Sequence, residues 1–402
     1  MIALQILFWA ALGLTVYTYA LYPLLLVVLC RLQQPRRVAS PQMTAPCDPD
    51  REWPMVSLII AAYREEAVIL QRLNNALLCD YPADRLEILI GCDGNEDATG
   101  ELVASCPDPR VRLLQFEQRR GKPSVLNDCV AQARGEILVF SDANTFFEPD
   151  AIRQLVRHFD DPGTGGVCGK LLLIDPETGG NVDGLYWRYE NFLKEREGQL
   201  GALLGVNGAI YAMRRSLFQP IPSETIVDDF LIGMRIHLQQ ARLIYDATAV
   251  ATEESAPDID AEFHRRARIG AGGFQSLAWL WPLLSPARGN VALAFWSHKV
   301  LRWFCPMLLV VALLSNLLLL DRPLYQVMLA AQLLLYVAAL LGKSIGGTSL
   351  PARLSRLPAM FVSMNAALLV GFVRWLSGRQ RAAWKRTDRS DEATVKKPVE
   401  TA

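Results

Sequence analysis

The stretch Ile137-Leu138-Val139-Phe140-Ser141-Asp142-Ala143-Asn144 decides how this chain folds. An apolar run passes straight into two oxygen-bearing side chains, and Gly135 and Pro149 bound the segment. That pattern reads as a fully buried strand ending in a polar turn. In open α/β sheets, ligands bind just beyond the carboxyl ends of the strands. Asp142 and Asn144, two residues apart on that turn, can both reach one hard cation, and such a cation would hold a diphosphate. The same residues also suit an Asp-x-Asn turn with no ligand, so the neighbouring segments have to decide.

Upstream, Met55–Tyr63 and Leu86–Asp93 repeat the pattern of an apolar run closing on a polar residue, and Val111–Gln115 is a third short strand. Arg64-Glu65-Glu66 opens a helix with acids in its first turn. Thr99–Ser105 is helical, and Gly121-Lys122 starts a helix that runs to about Ala133. Strands alternating with helices from 56 to 160 predict an α/β fold with a mostly parallel sheet and helices on both faces. Downstream, Gly165–Ile174 is a further strand, and Gly184–Gln199 is a charged, aromatic helix. Within it, Lys194-Glu195-Arg196-Glu197 is expected to be a solvated face. Val206–Arg215 reads as strand then turn, and Asp228-Asp229 opens a helix.

The chain has 402 residues and a formal net charge of zero, which gives no electrostatic argument for nucleic acid. Hydrophobic residues make up 51%, concentrated towards the two ends, which points to a membrane. The eight cysteines form no C-x-x-C pair, so neither zinc nor a disulfide framework is expected, and the central domain reads as reduced and cytoplasmic. Ile2–Cys30 carries no charge and is longer than a hydrocarbon core of roughly 30 Å, so it should span, with tilt or a bend near Pro23. It is too long, and lacks the basic start, for a signal peptide. Arg31, Arg36 and Arg37 place its far end in the cytoplasm.

Three more apolar runs follow, at about Val300–Leu320, Leu324–Leu341 and Leu357–Leu376, with a tight turn at Asp321-Arg322-Pro323. Three full crossings would put the basic tail outside, so 357–376, interrupted by Asn365 and Gly371, is expected to be bent or re-entrant. Trp279, Trp281, Trp296 and Trp303 suggest an interfacial belt, with a sugar platform as the alternative. His264 and His298 read as interfacial or structural. The expected organisation is a membrane helix at 1–30, a linker at 31–54 and a catalytic domain at 55–260. An interfacial segment at 261–298, membrane helices at 299–376 and a polar tail at 377–402 complete it.

Tyr63, Asp93, Lys122, Asp142, Asn144 and Asp229 each lie at a strand end or a helix start, and in a parallel sheet such positions converge on one edge. An aromatic face with an Asp acceptor suits a flat base, and a Lys at a Gly-led helix start suits a phosphate. Asp142 and Asn144 suit a divalent metal, and Asp229 is a candidate general base. Each alone is more often a solvated loop residue; six on one edge are hard to obtain by accident.

On these motifs the sequence resembles the membrane-bound family-2 inverting glycosyltransferases, which include cellulose, hyaluronan and poly-N-acetylglucosamine synthases. The matching stretches are Ala61-Ala62-Tyr63 with Glu65, Cys92-Asp93-Gly94, Gly121-Lys122 with Leu126-Asn127, and Ser141-Asp142-Ala143-Asn144. Asn207-Gly208-Ala209 with Arg214-Arg215, and Val227-Asp228-Asp229 with Arg235, complete them. The resemblance implies a glycosyltransferase A-type, Rossmann-like cytoplasmic domain flanked by transmembrane helices. It implies a nucleotide-sugar donor, with a UDP-sugar expected, held by Tyr63, Glu65, Asp93, Lys122, Asp142, Arg265 and Arg268. Mg2+ or Mn2+ would sit on Asp142 and Asn144, and Asp229 would be the base, in the position of the last acid of the family's Thr-Glu-Asp motif. Asn207, Gly208 and Asp228 would lie on the acceptor side.

Two departures stand out. The second acid of the family's Asp-x-Asp is Asn144 here, which removes one negative charge. The family's Gln-x-x-Arg-Trp reads Arg265-Arg266-Ala267-Arg268-Ile269, so the indole that floors the acceptor site is missing. As a lesser alternative, Arg265, Arg266 and Arg268 could bind anionic lipid headgroups instead of a diphosphate. The expected activity is sugar transfer to a glycan or lipid-linked acceptor in envelope or exopolysaccharide synthesis, at the inner or plasma membrane. The alternatives are a single-addition glycolipid transferase and a non-catalytic subunit working with other polysaccharide-export subunits.

Overall fold

The computed structural model describes residues 1–33, 52–174, 185–254, 259–342 and 350–380; most of the expected linker and the tail beyond 380 lie outside them. Two compact units form. One holds residues 26–257 and 280–294, and the other holds 1–25, 258–279 and 295–380.

The first unit is built on one eight-stranded sheet. Its strands are β1 (Val56–Ala62), β2 (Leu86–Asp93), β3 (Val111–Phe116) and β4 (Ile137–Asp142). They continue as β5 (Phe146–Phe147), β6 (Thr164–Ile174), β7 (Tyr211–Arg214) and β8 (Arg242–Glu254). The order across the sheet is β3-β2-β1-β4-β7-β6-β8-β5. The first four strands pair in parallel, as alternation with helices requires. The expectation of a mostly parallel sheet holds there, but β7 enters antiparallel between β4 and β6, and β5 antiparallel against β8. No helix lies between the isolated bridge Asn207–Ile210 and β7, so the chain doubles back tightly before this strand. The sheet is therefore mixed. Only the end of the expected 206–215 strand pairs within it.

β1 and β2 are buried along their whole length, which explains their lack of polar alternation. Val56, Leu58, Ile60, Ile88, Ile90 and Val139 pack on one face against Ile69 and Leu73 of the Ile69–Leu77 helix and Ile152 and Leu155 of the Ala151–Val156 helix. Each such side chain contributes roughly 1.5–3 kcal/mol. On β2, a Cβ at Gly91 would stand 2.3 Å from a Val125 methyl carbon, so the Lys122–Gln132 helix crosses the sheet where it does because residue 91 has no side chain.

The second unit is helical. Among the described residues of the whole chain, four helices are long and apolar enough to cross a membrane: Ile2–Leu32, Asn290–Leu317, Pro323–Gly342 and Leu357–Leu376. The first carries a π-turn at Tyr17–Leu21, just ahead of Pro23. A ring without an N–H there widens the preceding turn, which is the irregularity expected at that proline. A second π-turn at Phe295–Val300 precedes the Leu301–Leu317 helix, so this segment begins earlier than the apolar run suggests. The Leu350–Leu376 helix is continuous. Within it Asn365 donates to the Phe361 carbonyl (2.9 Å), and Gly371 is a packing site. A Cβ at Gly371 would lie 2.5 Å from the Ala267 carbonyl, so this helix crosses the Ile259–Leu280 helix at a seam of small residues. Trp281 and Trp296 are exposed. Trp303 is buried against Gly273 and Phe274 and is core instead.

Candidate active site

β1, β2 and β4 end together, with Ala61 beside Gly91 and Asp142. Their carboxyl ends deliver Tyr63, Asp93 and Asp142 to one edge of the sheet. Gly121 adopts φ +89° as the residue before the Lys122–Gln132 helix, a backbone region that glycine enters without strain. Asp93 holds this turn: its carboxylate accepts from the Arg120 N–H (2.6 Å) and the Gly121 N–H (2.8 Å). The expected base acceptor is thus also the anchor of the lysine loop.

Lys122 is the centre of the charge arrangement. Its ammonium lies 2.6 Å from Asp142 Oδ1 and 3.6 Å from Asp228 Oδ2. Burial opposes its charge, but Asp142, Asp228 and Asp229 outweigh burial and hold its pKa above the ordinary lysine range. Asp228 and Asp229 open the Asp228–Leu238 helix, whose N-terminal dipole favours carboxylates. Asp229 accepts from the Gly208 N–H (2.9 Å) and the Phe230 N–H (2.7 Å). Burial, reinforced by the Asp228 charge and opposed by Lys122, pushes its pKa up to about 6. A Cβ on residue 208 would stand 3.1 Å from Asp229 Oδ2, which makes glycine the fitting residue. Lys122, Ser141, Gly208, Tyr211 and Asp228 line one small cleft.

The remaining expected residues divide. The Tyr63 hydroxyl donates to Glu96 (2.8 Å), and the Arg119 guanidinium lies 3.8 Å over the Tyr63 ring. Glu65 is buried; its N–H donates to Thr99 Oγ1 (2.8 Å), and its carbonyl caps the Ile69–Leu77 helix. Asn207 accepts from the Lys194 ammonium and donates to the Gly169 carbonyl (3.2 Å). That pairing, with Glu197 fully buried, overturns the solvated face expected at 194–197. The Asn144 amide donates to Glu253 Oε1 (2.9 Å). Arg265 and Arg268 lie on the Ile259–Leu280 helix, which belongs to the helical unit and not to the sheet unit that carries the acids.

Sequence reading missed four residues around these. Arg119 precedes Gly121-Lys122 and covers the tyrosine. Asn75 bonds both backbone groups of Phe147 (2.9 and 2.8 Å), fixing the chain just after Asn144. Glu253 closes β8, a strand end of the kind that singled out the others. Tyr211 is buried beside the acids, stacked on Phe140 at 4.7 Å.

Among the described residues, no three His, Cys, Asp or Glu side chains form a preformed metal cage. The Asp142 carboxylate, on which the Lys122 ammonium rests, and the amide oxygen of Asn144 are hard donors of the kind that suits a cation taking its other ligands from phosphates and water.

Residues 57–221 match the family model described as Glycosyl transferase family 2. The beta-monoglucosyldiacylglycerol synthase of Synechocystis sp. is 26% identical over 268 residues, covering 63% of this chain and 55% of that protein. The poly-beta-1,6-N-acetyl-D-glucosamine synthase of Staphylococcus epidermidis is 24% identical over 237 residues, covering 57% of each. The chain thus spans about half the length of the curated relatives it matches. Among solved structures, the mannosyltransferase PcManGT from Pyrobaculum calidifontis, in complex with GDP-Man and Mn2+, superposes with a TM-score of 0.68 at 23% identity. That likeness covers 93% of this chain and 99% of the other, and it shows the fold. Residues 57–221 therefore resemble a family-2 glycosyltransferase domain, and the chain shares the fold of the mannosyltransferase.

Proposed function

We propose that this protein transfers one sugar, or a short run of sugars, with inversion, from a nucleoside-diphosphate sugar to a lipid-linked acceptor at the cytoplasmic face of the membrane. The carrying observation is the cluster in which Lys122 bridges Asp142 and Asp228, beside an Asp229 whose pKa is raised to about 6. A base near neutrality is suited to accept a proton from a hydroxyl. Asp229 takes the acceptor proton as the acceptor oxygen bonds to the anomeric carbon. The bond from that carbon to the diphosphate oxygen breaks, and the diphosphate leaves with the electron pair. Lys122 neutralises charge on the leaving group. Mg2+ or Mn2+, held by Asp142 and Asn144, would supply Lewis-acid stabilisation of the same charge. Arg119 and Tyr63 form a flat, cationic surface suited to a base, with a UDP-sugar as the first donor to test.

The four apolar helices among the described residues support a membrane-bound acceptor. So does Ile269, which stands where processive members carry an indole and is 37% exposed. One relative is named for a monoglucosylated diacylglycerol and others for a poly-beta-1,6-linked sugar. The missing indole favours the short product. The test is a screen of UDP- and GDP-sugars with the purified full chain and membrane lipid extract, read by mass of the product. A glycolipid carrying one or a few added sugars is expected. A polymer of tens of sugars would overturn the acceptor assignment.

A further inference from the structure

The Asp-x-Asn turn lacks one acid of the pattern it otherwise matches, and the sheet brings another acid to it. β5 pairs antiparallel with β8, with Phe146 opposite Thr252 and Phe147 opposite Ala251. Continuing both strands past that pair sets Glu253 opposite Thr145, the neighbour of Asn144, and the Asn144 Nδ2 donates to Glu253 Oε1 at 2.9 Å. We propose that Glu253 is a positioning residue for the cation site, fixing the Asn144 amide with its oxygen available and supplying from β8 the negative charge that Asn144 lacks. This inference rests on the nucleotide-sugar and cation reading above.

The chemistry of the pair permits one arrangement. An ionised carboxylate only accepts hydrogen bonds, so only the NH2 side of the Asn144 amide can face it. The amide is planar, so its oxygen then points away from Glu253. That oxygen can coordinate a hard cation; the amide nitrogen, whose lone pair is delocalised, cannot. Without the carboxylate the two orientations compete. The backbone beside Asn144 is set separately: Asn75 bonds both polar groups of Phe147, and the Arg72 guanidinium lies 4.8 Å over the Phe147 ring. Glu253 therefore acts on the side chain of residue 144 and not on the course of the loop. Together Asp142 and Glu253 bring the same two negative charges that an Asp-x-Asp turn would carry, and cation affinity follows charge count as well as geometry.

The test is Mn2+ binding to the purified full chain in detergent, read by electron paramagnetic resonance of free Mn2+, with UDP or GDP added. Glu253→Gln offers both donor and acceptor, so it releases the amide and removes the charge. Its Mn2+ dissociation constant is expected to rise about 10–100-fold, as for other residues that orient metal ligands. Asn144→Asp in the same chain should restore binding to within about threefold of wild type, because an acid at 144 needs neither service. The rescue also separates this role from a folding defect, which a change at 144 would not repair. Glu253→Gln binding Mn2+ as tightly as wild type would overturn the proposal, as would a double variant no tighter than Glu253→Gln. A wild-type chain that binds no Mn2+ with either nucleotide would sink the cation reading itself, and this inference with it.

Discussion

Replacing Asp229 by asparagine separates the chemistry of this site from its energetics. The Asp229 carboxyl titrates at about 6 in the folded chain, against an ordinary value of 3.8, because burial and the Asp228 charge disfavour its ionised form. A folded pKa above the unfolded one means that the folded state holds the proton between about pH 4 and 6 while the unfolded state has released it. Stability supplied by that proton is full below about pH 4 and is lost as pH rises through 6. Two pKa units correspond to about 3 kcal/mol as an upper bound. The amide of the Asp229→Asn variant has no such dependence. It does carry a constant penalty, since one amide oxygen cannot accept from both the Gly208 and Phe230 N–H groups, at a cost of roughly 1–3 kcal/mol. The prediction therefore lies in the slope. The melting temperature of Asp229→Asn relative to wild type should climb by up to roughly 6–12 °C between pH 4 and 7.5, the shift about 3 kcal/mol produces in a domain of this size. Differential scanning fluorimetry in detergent at several pH values reads it. Turnover should fall on the order of 10²–10⁴-fold, while wild-type activity rises to a plateau above about pH 6. Parallel melting curves across that range, or near-normal turnover in the variant, would refute the assignment of Asp229 as a buried, raised-pKa base.

Other variants probe the neighbouring parts. Lys122→Met removes the charge that holds Asp229 down, so the activity that remains should need a higher pH than wild type, and donor affinity should fall at least about 10-fold; an unmoved pH profile in stopped kinetic assays counts against the bridge. Asp246 accepts from Arg157 (2.8 Å), His158 (2.6 Å) and Thr248, and these partners outweigh its burial and hold its pKa below the ordinary carboxylate range. Its stabilisation is present at neutral pH and is lost as pH falls below the ordinary carboxylate value. Asp246→Asn leaves the Arg157 charge uncompensated and should cost about 3 kcal/mol at pH 7, seen as a lower melting temperature that converges on wild type in acid. Ile269→Trp restores an indole and should lengthen the product on a sizing gel; an unchanged product would remove position 269 from acceptor binding.

The parallel half of the sheet was legible because β1, β2 and β4 are continuous apolar runs that close on polar residues. The antiparallel strands were not. β7 occupies four residues in a longer apolar stretch, and β5 only two, and strand direction leaves no mark on periodicity. The acids and Lys122 were readable because each sits at a strand end or helix start, where topology alone brings side chains together. Their partners were not, since Arg119, Asn75 and Glu253 gain meaning only from contacts across the sheet. Lys194 and Glu197 misled for a similar reason: alternating charges on a helix usually mark a wet face, but here one reaches Asn207 and the other is buried. Trp303 failed on packing, because a tryptophan near a span can fill a helix crossing as well as an interface.

The central claim is that Asp142, Asn144, Lys122 and Asp229 together bind and transfer a sugar from a nucleotide donor with the help of a divalent cation. The most direct measurement is release of nucleoside diphosphate by the purified full chain, supplied with UDP- and GDP-sugars, with Mn2+ or Mg2+ and then with chelator. The account predicts release from one donor that disappears on chelation, that Asp142→Ala abolishes along with donor binding, and that Asp229→Asn lowers on the order of 10²–10⁴-fold while donor binding survives. Release that persists in chelator, or that is indifferent to both substitutions, would contradict it.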